Sequence, residues 1–207
     1  MKRYILLVVL GSIAAAQLFA EAPKGWKMRV DRSTSAADPD TVGAIRFDTS
    51  GAGFHAVNPQ AAVYWNPANV AGGAYTIKAA FTLLKPSSHP NYYGLIFGGS
   101  DLEGAQQTYL YFVIAQDGTW LLKHRTGDGK TENLSPDTPN DAVKKPDSNG
   151  KSTNLLEVRV GADKVDYLVN GTMVHTTPKA GLKTDGIYGI RINHVLDVQI
   201  DGFAMSK

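Results

Sequence analysis

The stretch NYYGLIFGGSDLEGAQQTYLYFVIAQDGTWLLKHR, from Asn91 to Arg125, decides the fold class. It holds a glycine-flanked apolar strand, then an alternating Tyr/Leu/Tyr/Phe strand, an Asp-Gly turn and a returning strand that ends in charge. That order specifies antiparallel pairing, and the turn sets the register. A three-residue loop, Gln116-Asp117-Gly118, with glycine in the left-handed position places Tyr111 opposite Lys123 and Tyr109 opposite Arg125. Phe112 then pairs with Leu122, and Ile114 with Trp120, on the other face. A two-residue loop would mix the faces, because a one-residue slip exchanges every side chain.

Working outward, short runs of period two punctuated by Gly, Asn, Asp and Pro recur along the chain, and no segment after the N-terminus carries helical spacing. Strands are expected at Trp26–Val30, Ala44–Asp48, Gly53–Val57, Ala61–Trp65, Tyr75–Leu84, Tyr93–Phe97, Thr108–Ala115 and Thr119–Arg125. Leu155–Val160, Lys164–Val169, Thr172–Thr176, Gly186–Asn193 and Leu196–Phe203 complete the set. Many short strands with turns between them imply an all-β antiparallel sandwich or barrel. A second hairpin is specified by Asn170-Gly171, a two-residue loop whose positions both need positive φ. Its register faces Tyr167 with Val174 and Asp166 with His175. From Thr126 to Thr153 the chain is polar and reads as one long loop, with Ala142-Val143 as its anchor.

The first twenty residues read as a secretory signal peptide. Lys2 and Arg3 precede an apolar run too short to span a bilayer, and small residues lead to Ala20 before Glu21-Ala22-Pro23. This implies a secreted or periplasmic protein with one domain over residues 21–207 and no membrane attachment once the leader is removed. None of the 207 residues is cysteine, which excludes disulfides, thiolate metal sites and a cysteine nucleophile. The formal charge is +2, including Lys2 and Arg3, and the cations are scattered, so no footprint for nucleic acid is present.

Taken in order, Tyr93-Gly94-Leu95-Ile96-Phe97-Gly98-Gly99, the strand Tyr109–Ile114 with its Asp117-Gly118 turn, Asn154–Val160, Val169-Asn170-Gly171 and Gly186–Arg191 resemble the concanavalin A-like lectin/glucanase superfamily. Within it the chain is similar to bacterial laminin-G-like domains and to the 3-keto-disaccharide hydrolase domain, over roughly Trp26 to Phe203. The resemblance implies a jelly roll of two antiparallel sheets, the concave one often used for binding. It also implies frequent contact with carbohydrate. Three functions fit it: a noncatalytic glycan-binding module, an enzyme acting on a modified disaccharide, or a protein-interaction domain. The first expects exposed aromatics beside hydrogen-bond donors, the second a cleft with a perturbed acid or base, and the third an exposed apolar patch.

Retaining glucanases of this superfamily alternate catalytic carboxylates along one strand, and their chemistry needs two carboxyls flanking the glycosidic oxygen. Here Asp101 and Glu103 fall in a loop, while Glu157, Asp197 and Asp201 stand on other strands, so no catalytic residue is assigned. His55, His89, His124, His175 and His194 lack metal-site spacing, and no Gly-x-Ser-x-Gly elbow occurs. Laminin-G-like domains sometimes hold calcium, and Asp101, Glu103, Asp128 and Asp137 are loop carboxylates of the right kind. Their spacing fits no calcium loop, so they read as solvated turn residues and no cofactor is expected. What remains is a face of Tyr109, Tyr111, Lys123 and Arg125, extended by Arg191 and Asn193 if their strand joins the same sheet. Rings cover the C–H patches of sugars and long donors bind hydroxyls or a carboxylate, so these six residues are the candidate carbohydrate contacts. Trp26 and Trp65 are read as core.

Overall fold

The computed structural model describes residues 23–31 and 40–207; the leader reading of residues 1–20 lies outside them. The described strands, in chain order, are β1 (Lys27–Asp31), β2 (Arg46–Ser50), β3 (Gly53–Asn58), β4 (Ala61–Ala71), β5 (Tyr75–Lys85), β6 (Tyr92–Ser100) and β7 (Thr108–Ala115). They continue as β8 (Thr119–Thr126), β9 (Thr131–Pro139), β10 (Ser152–Val160), β11 (Lys164–Val169), β12 (Thr172–Pro178), β13 (Gly186–Ile192) and β14 (Leu196–Ser206). Two seven-stranded antiparallel sheets result, ordered β1-β4-β13-β6-β7-β8-β9 and β12-β11-β10-β5-β14-β3-β2. They pack face to face as a jelly-roll sandwich.

Side chains that alternate inward from both sheets form the core. Leu110, Phe112, Ile114, Trp120 and Leu122 of the β7–β8 hairpin meet Phe81, Leu156, Val158 and Tyr167 of the other sheet, all almost fully buried. The hairpin pairs as its turn dictates: Tyr109 with Arg125, Tyr111 with Lys123, Phe112 with Leu122 and Ile114 with Trp120. Gly118 carries the positive φ of 91°, and its N–H donates to the Ala115 carbonyl at 3.2 Å.

Two expectations are corrected. The Asn170-Gly171 turn forms with both residues at positive φ, and Val169 pairs with Thr172 and Leu168 with Met173. Val174 is then an extra residue, so Tyr167 pairs with His175 and Asp166 with Thr176. The bulge turns the His175 ring onto Trp120 and Tyr167, at ring-centroid distances of 5.1 and 5.9 Å. Aromatic packing thereby overrides the register that the turn alone would propagate.

The polar stretch 126–153 is also not one loop. Thr131–Pro139 forms β9 against β8, with Lys123 opposite Asn133 and Arg125 opposite Thr131. An edge strand exposes one row of backbone groups and tolerates proline, so Pro136 and Pro139 do not prevent it. Val143 anchors the remainder, buried in the core, and Ala142 packs beside it.

Candidate functional site: a curved face crossed by ion pairs

On the first sheet, the side chains directed away from the sandwich core form a second cluster. Val63 and Trp65 of β4, Ile96 of β6, Tyr109, Tyr111 and Val113 of β7 and Leu121 of β8 pack there with Leu102 from the β6–β7 loop. An outward sheet face is ordinarily wet, yet Tyr109 is 0% exposed and Tyr111 7%.

Curvature accounts for this. Asp31 ends the edge strand β1, and Arg125 lies on β8, five strands away in the sheet order. At about 4.8 Å per step a flat sheet would separate those strands by roughly 24 Å. Instead, Arg125 Nη2 donates to Asp31 Oδ2 at 2.7 Å. The sheet therefore bends over this face, making it concave.

Alternation along β1 turns Lys27, Arg29 and Asp31 to the same side, and all three reach across. Lys27 Nζ meets Glu103 at 2.5 Å, Arg29 donates to the Gly104 carbonyl at 2.6 Å and pairs with Asp128, and Asp31 meets the arginines. These bridges roof the tyrosines.

At the centre, Asp31 Oδ2 accepts from Arg125 Nη2, from Arg191 Nη1 at 2.5 Å and from the Tyr109 hydroxyl at 3.2 Å. The Tyr109 oxygen accepts in turn from Arg191 Nη1 at 2.9 Å, and the Arg191 guanidinium lies over the Tyr111 ring, 5.1 Å from its centroid. Burial alone would raise the Asp31 pKa. The charges of Arg191 and Arg125 and their hydrogen bonds outweigh that and hold it at about 2. Burial acts to lower the Arg191 pKa, but Tyr109, Asp31 and Tyr111 raise it overall. The Tyr109 phenol is pushed up, chiefly by burial. Asp31 and its arginines are thus charged at neutral pH beside a neutral Tyr109 phenol, and Asp31 has no proton to give as a general acid.

Of the six candidate residues, Tyr109, Arg125 and Arg191 converge on Asp31, and Tyr111 supports Arg191. Lys123 stands opposite Tyr111 and makes no ion pair among the described residues. Asn193 follows β13 at the end of the face beside Tyr92, whose carbonyl accepts its N–H at 2.9 Å. The tyrosine rings are buried and tilted 47° to each other, so they position guanidiniums rather than forming an open stacking platform.

Asp31 and Arg29 escaped the sequence reading, and Asp128 entered it only as a loop carboxylate, without its arginine partner. A signal was present in Lys27-Met28-Arg29-Val30-Asp31, which places three charges at strand period, but nothing local says what they face. Of the four carboxylates read as loop residues suited to calcium, Glu103 is engaged with Lys27, Asp128 with Arg29 and Gln107, and Asp101 with the Gln106 N–H, while Asp137 lies on the edge strand β9 and not in a loop. No group of three or more metal-ligating side chains occurs among the described residues.

A separate recess of about 370 Å³ opens between Thr41–Ala44, Asn58-Pro59, Lys85-Pro86 and Val195–Asp197. Val195 bounds it with φ of 54°, unusual for a β-branched residue. Trp26 lies in a different aromatic group, 4.6 Å from Phe54 and 5.3 Å from Phe47 between ring centroids.

The architecture is that of the concanavalin A-like jelly rolls. No family model matches the sequence, and no curated protein matches it. Among solved structures, a carbohydrate binding module, CBM66 from Bacillus subtilis, superposes with a TM-score of 0.61 at 10% identity, over 88% of this chain and 96% of that one. The GH16 protein of the Bacteroides ovatus mixed linkage glucan PUL, in complex with a G4G4G3G product, gives 0.56 at 10% identity, over 88% and 94%. A family 7 alginate lyase in complex with its substrate GGMG gives 0.52 at 16% identity, over 88% and 92%.

Proposed function

We propose that this chain is a noncatalytic carbohydrate-binding module, exported by the leader-like segment at its N-terminus, and that the curved face of the first sheet holds the sugar. The observation that carries the reading is the pair of guanidiniums, Arg125 and Arg191, both fixed on Asp31, with Arg191 over the Tyr111 ring, in a concave sheet. Prepositioned donors of this kind bind hydroxyl-rich or anionic ligands with little ordering cost. The fold neighbours support it in kind, since they include a carbohydrate binding module as well as proteins captured with saccharides. The enzyme reading has less support, because the one carboxylate at the centre of the face is held ionised by two arginines.

A glycan panel against the purified protein tests the proposal, with Arg191→Gln as the comparison and circular dichroism to verify folding. Binding that Arg191→Gln loses while staying folded supports the module and locates its site. A folded wild type that binds no neutral or acidic glycan overturns it.

A further inference from the structure

The donors that surround Asp31 describe what the face is built to hold. Three groups from three strands, Arg125 of β8, Arg191 of β13 and Tyr109 of β7, converge on a single carboxylate oxygen. Charge on the face is not balanced by that carboxylate. Asp31 answers two guanidiniums, and the Lys123 ammonium, on the same face two residues before Arg125, has no acidic partner among the described residues. Arg125 Nε is buried with no hydrogen-bond partner, so one more donor stands unused. Desolvated cations in excess of their counter-charge are costly, and a ligand anion relieves that cost. Asp31 also lies on an edge strand, β1, which among the described residues pairs with β4 alone.

We infer that this face takes a sugar bearing a carboxylate, a uronate residue of an acidic glycan, seated on Arg125 and Arg191 where the Asp31 carboxylate now lies and drawn in by Lys123. The inference rests on the carbohydrate-binding reading and narrows it. Asp31 is then an internal competitor, which holds the arginines in place until a ligand carboxylate replaces it. A planar carboxylate matches the donor set, as Asp31 itself demonstrates; a sulfate carries the same charge in a tetrahedral shape.

The test measures a linear oligouronate, a sulfated oligosaccharide of equal length and a neutral glucan of equal length against wild type, Asp31→Asn and Lys123→Ala. Expected for wild type is oligouronate binding about tenfold tighter than neutral glucan, weakening as salt rises. Asp31→Asn tightens oligouronate by roughly a further fivefold, and oligouronate raises the melting temperature of that variant more than that of wild type. Lys123→Ala, at a partly exposed position, weakens oligouronate about threefold and more than it weakens neutral glucan. It keeps the test decisive should Asp31→Asn not fold. Neutral glucan bound as tightly as oligouronate overturns this inference and leaves the binding module standing. Sulfated sugar preferred over uronate also overturns it, and silence toward every glycan overturns both readings.

Discussion

Asp31 and Arg125 belong to strands five positions apart in one sheet, and their side chains meet at 2.7 Å. The contact is a measure of how far the sheet bends, and it ties the bend to charge. Removing Asp31 leaves two largely buried guanidiniums without their counter-charge, which costs far more than an exposed pair contributes. Asp31→Ala is therefore expected to lower unfolding free energy by about 3 kcal/mol, whereas Glu103→Ala, removing the exposed Lys27 bridge, costs under about 1 kcal/mol. Urea denaturation of both variants checks this, and equal losses would contradict it.

Acid should act through the same carboxylate. The Asp31 pKa is about 2 in the folded chain against an ordinary value of 3.8, so the unfolded chain binds its proton first as pH falls. Its contribution, about 2 kcal/mol, is complete above pH 4 and lost as pH falls through about 2. Stability measured from pH 5 to pH 2 should decline more steeply for wild type than for Asp31→Asn; parallel curves would rule the assignment out.

His175 gives a second pH dependence in a different window. Burial against Trp120 and Tyr167 lowers its pKa from the ordinary 6.5. The unfolded chain takes up that proton first, so stability is full above the unfolded value and declines as pH falls below it toward the folded one. Denaturation midpoints between pH 7.5 and pH 5 should drop for wild type and hold for His175→Phe. A flat wild-type profile over that range would count against the packing.

Glycine at Gly98 is a backbone requirement. Its φ is 62°, and a Cβ there would stand 2.0 Å from the Lys183 carbonyl oxygen. Gly129 has a similar φ of 70° with nothing within 4 Å of the added carbon. Gly98→Ala should thus cost roughly 3 kcal/mol or prevent folding, and Gly129→Ala about 1 kcal/mol, the difference reporting the collision. Thermal melts of the two variants separate the effects.

The β7–β8 hairpin was legible in the sequence because turn, alternation and face agree over Tyr109–Arg125, so it placed Tyr109, Tyr111, Lys123 and Arg125 together. β9 was not, because an edge strand with two prolines carries almost no apolar alternation. The slip at Val174 follows from three rings that meet only once both sheets are assembled. Asp31 was hidden for a larger reason. Its partners lie 94 and 160 residues away along the chain, and they converge only because a seven-stranded sheet curls. Period and propensity describe strands, and neither describes the curvature of the sheet they build.

The positions of β13 and β14 bear on when the chain can fold. β13 lies between β4 and β6 in one sheet, and β14 between β5 and β14's other neighbour β3 in the second. Residues 186–206 thus supply an interior strand to each layer, although the ribosome makes them after every strand they join. Until they appear, neither layer can close, and the earlier strands have only partial pairings. Pairings of such long sequence separation put the closing of both layers at the end of synthesis and slow the folding of the whole sandwich.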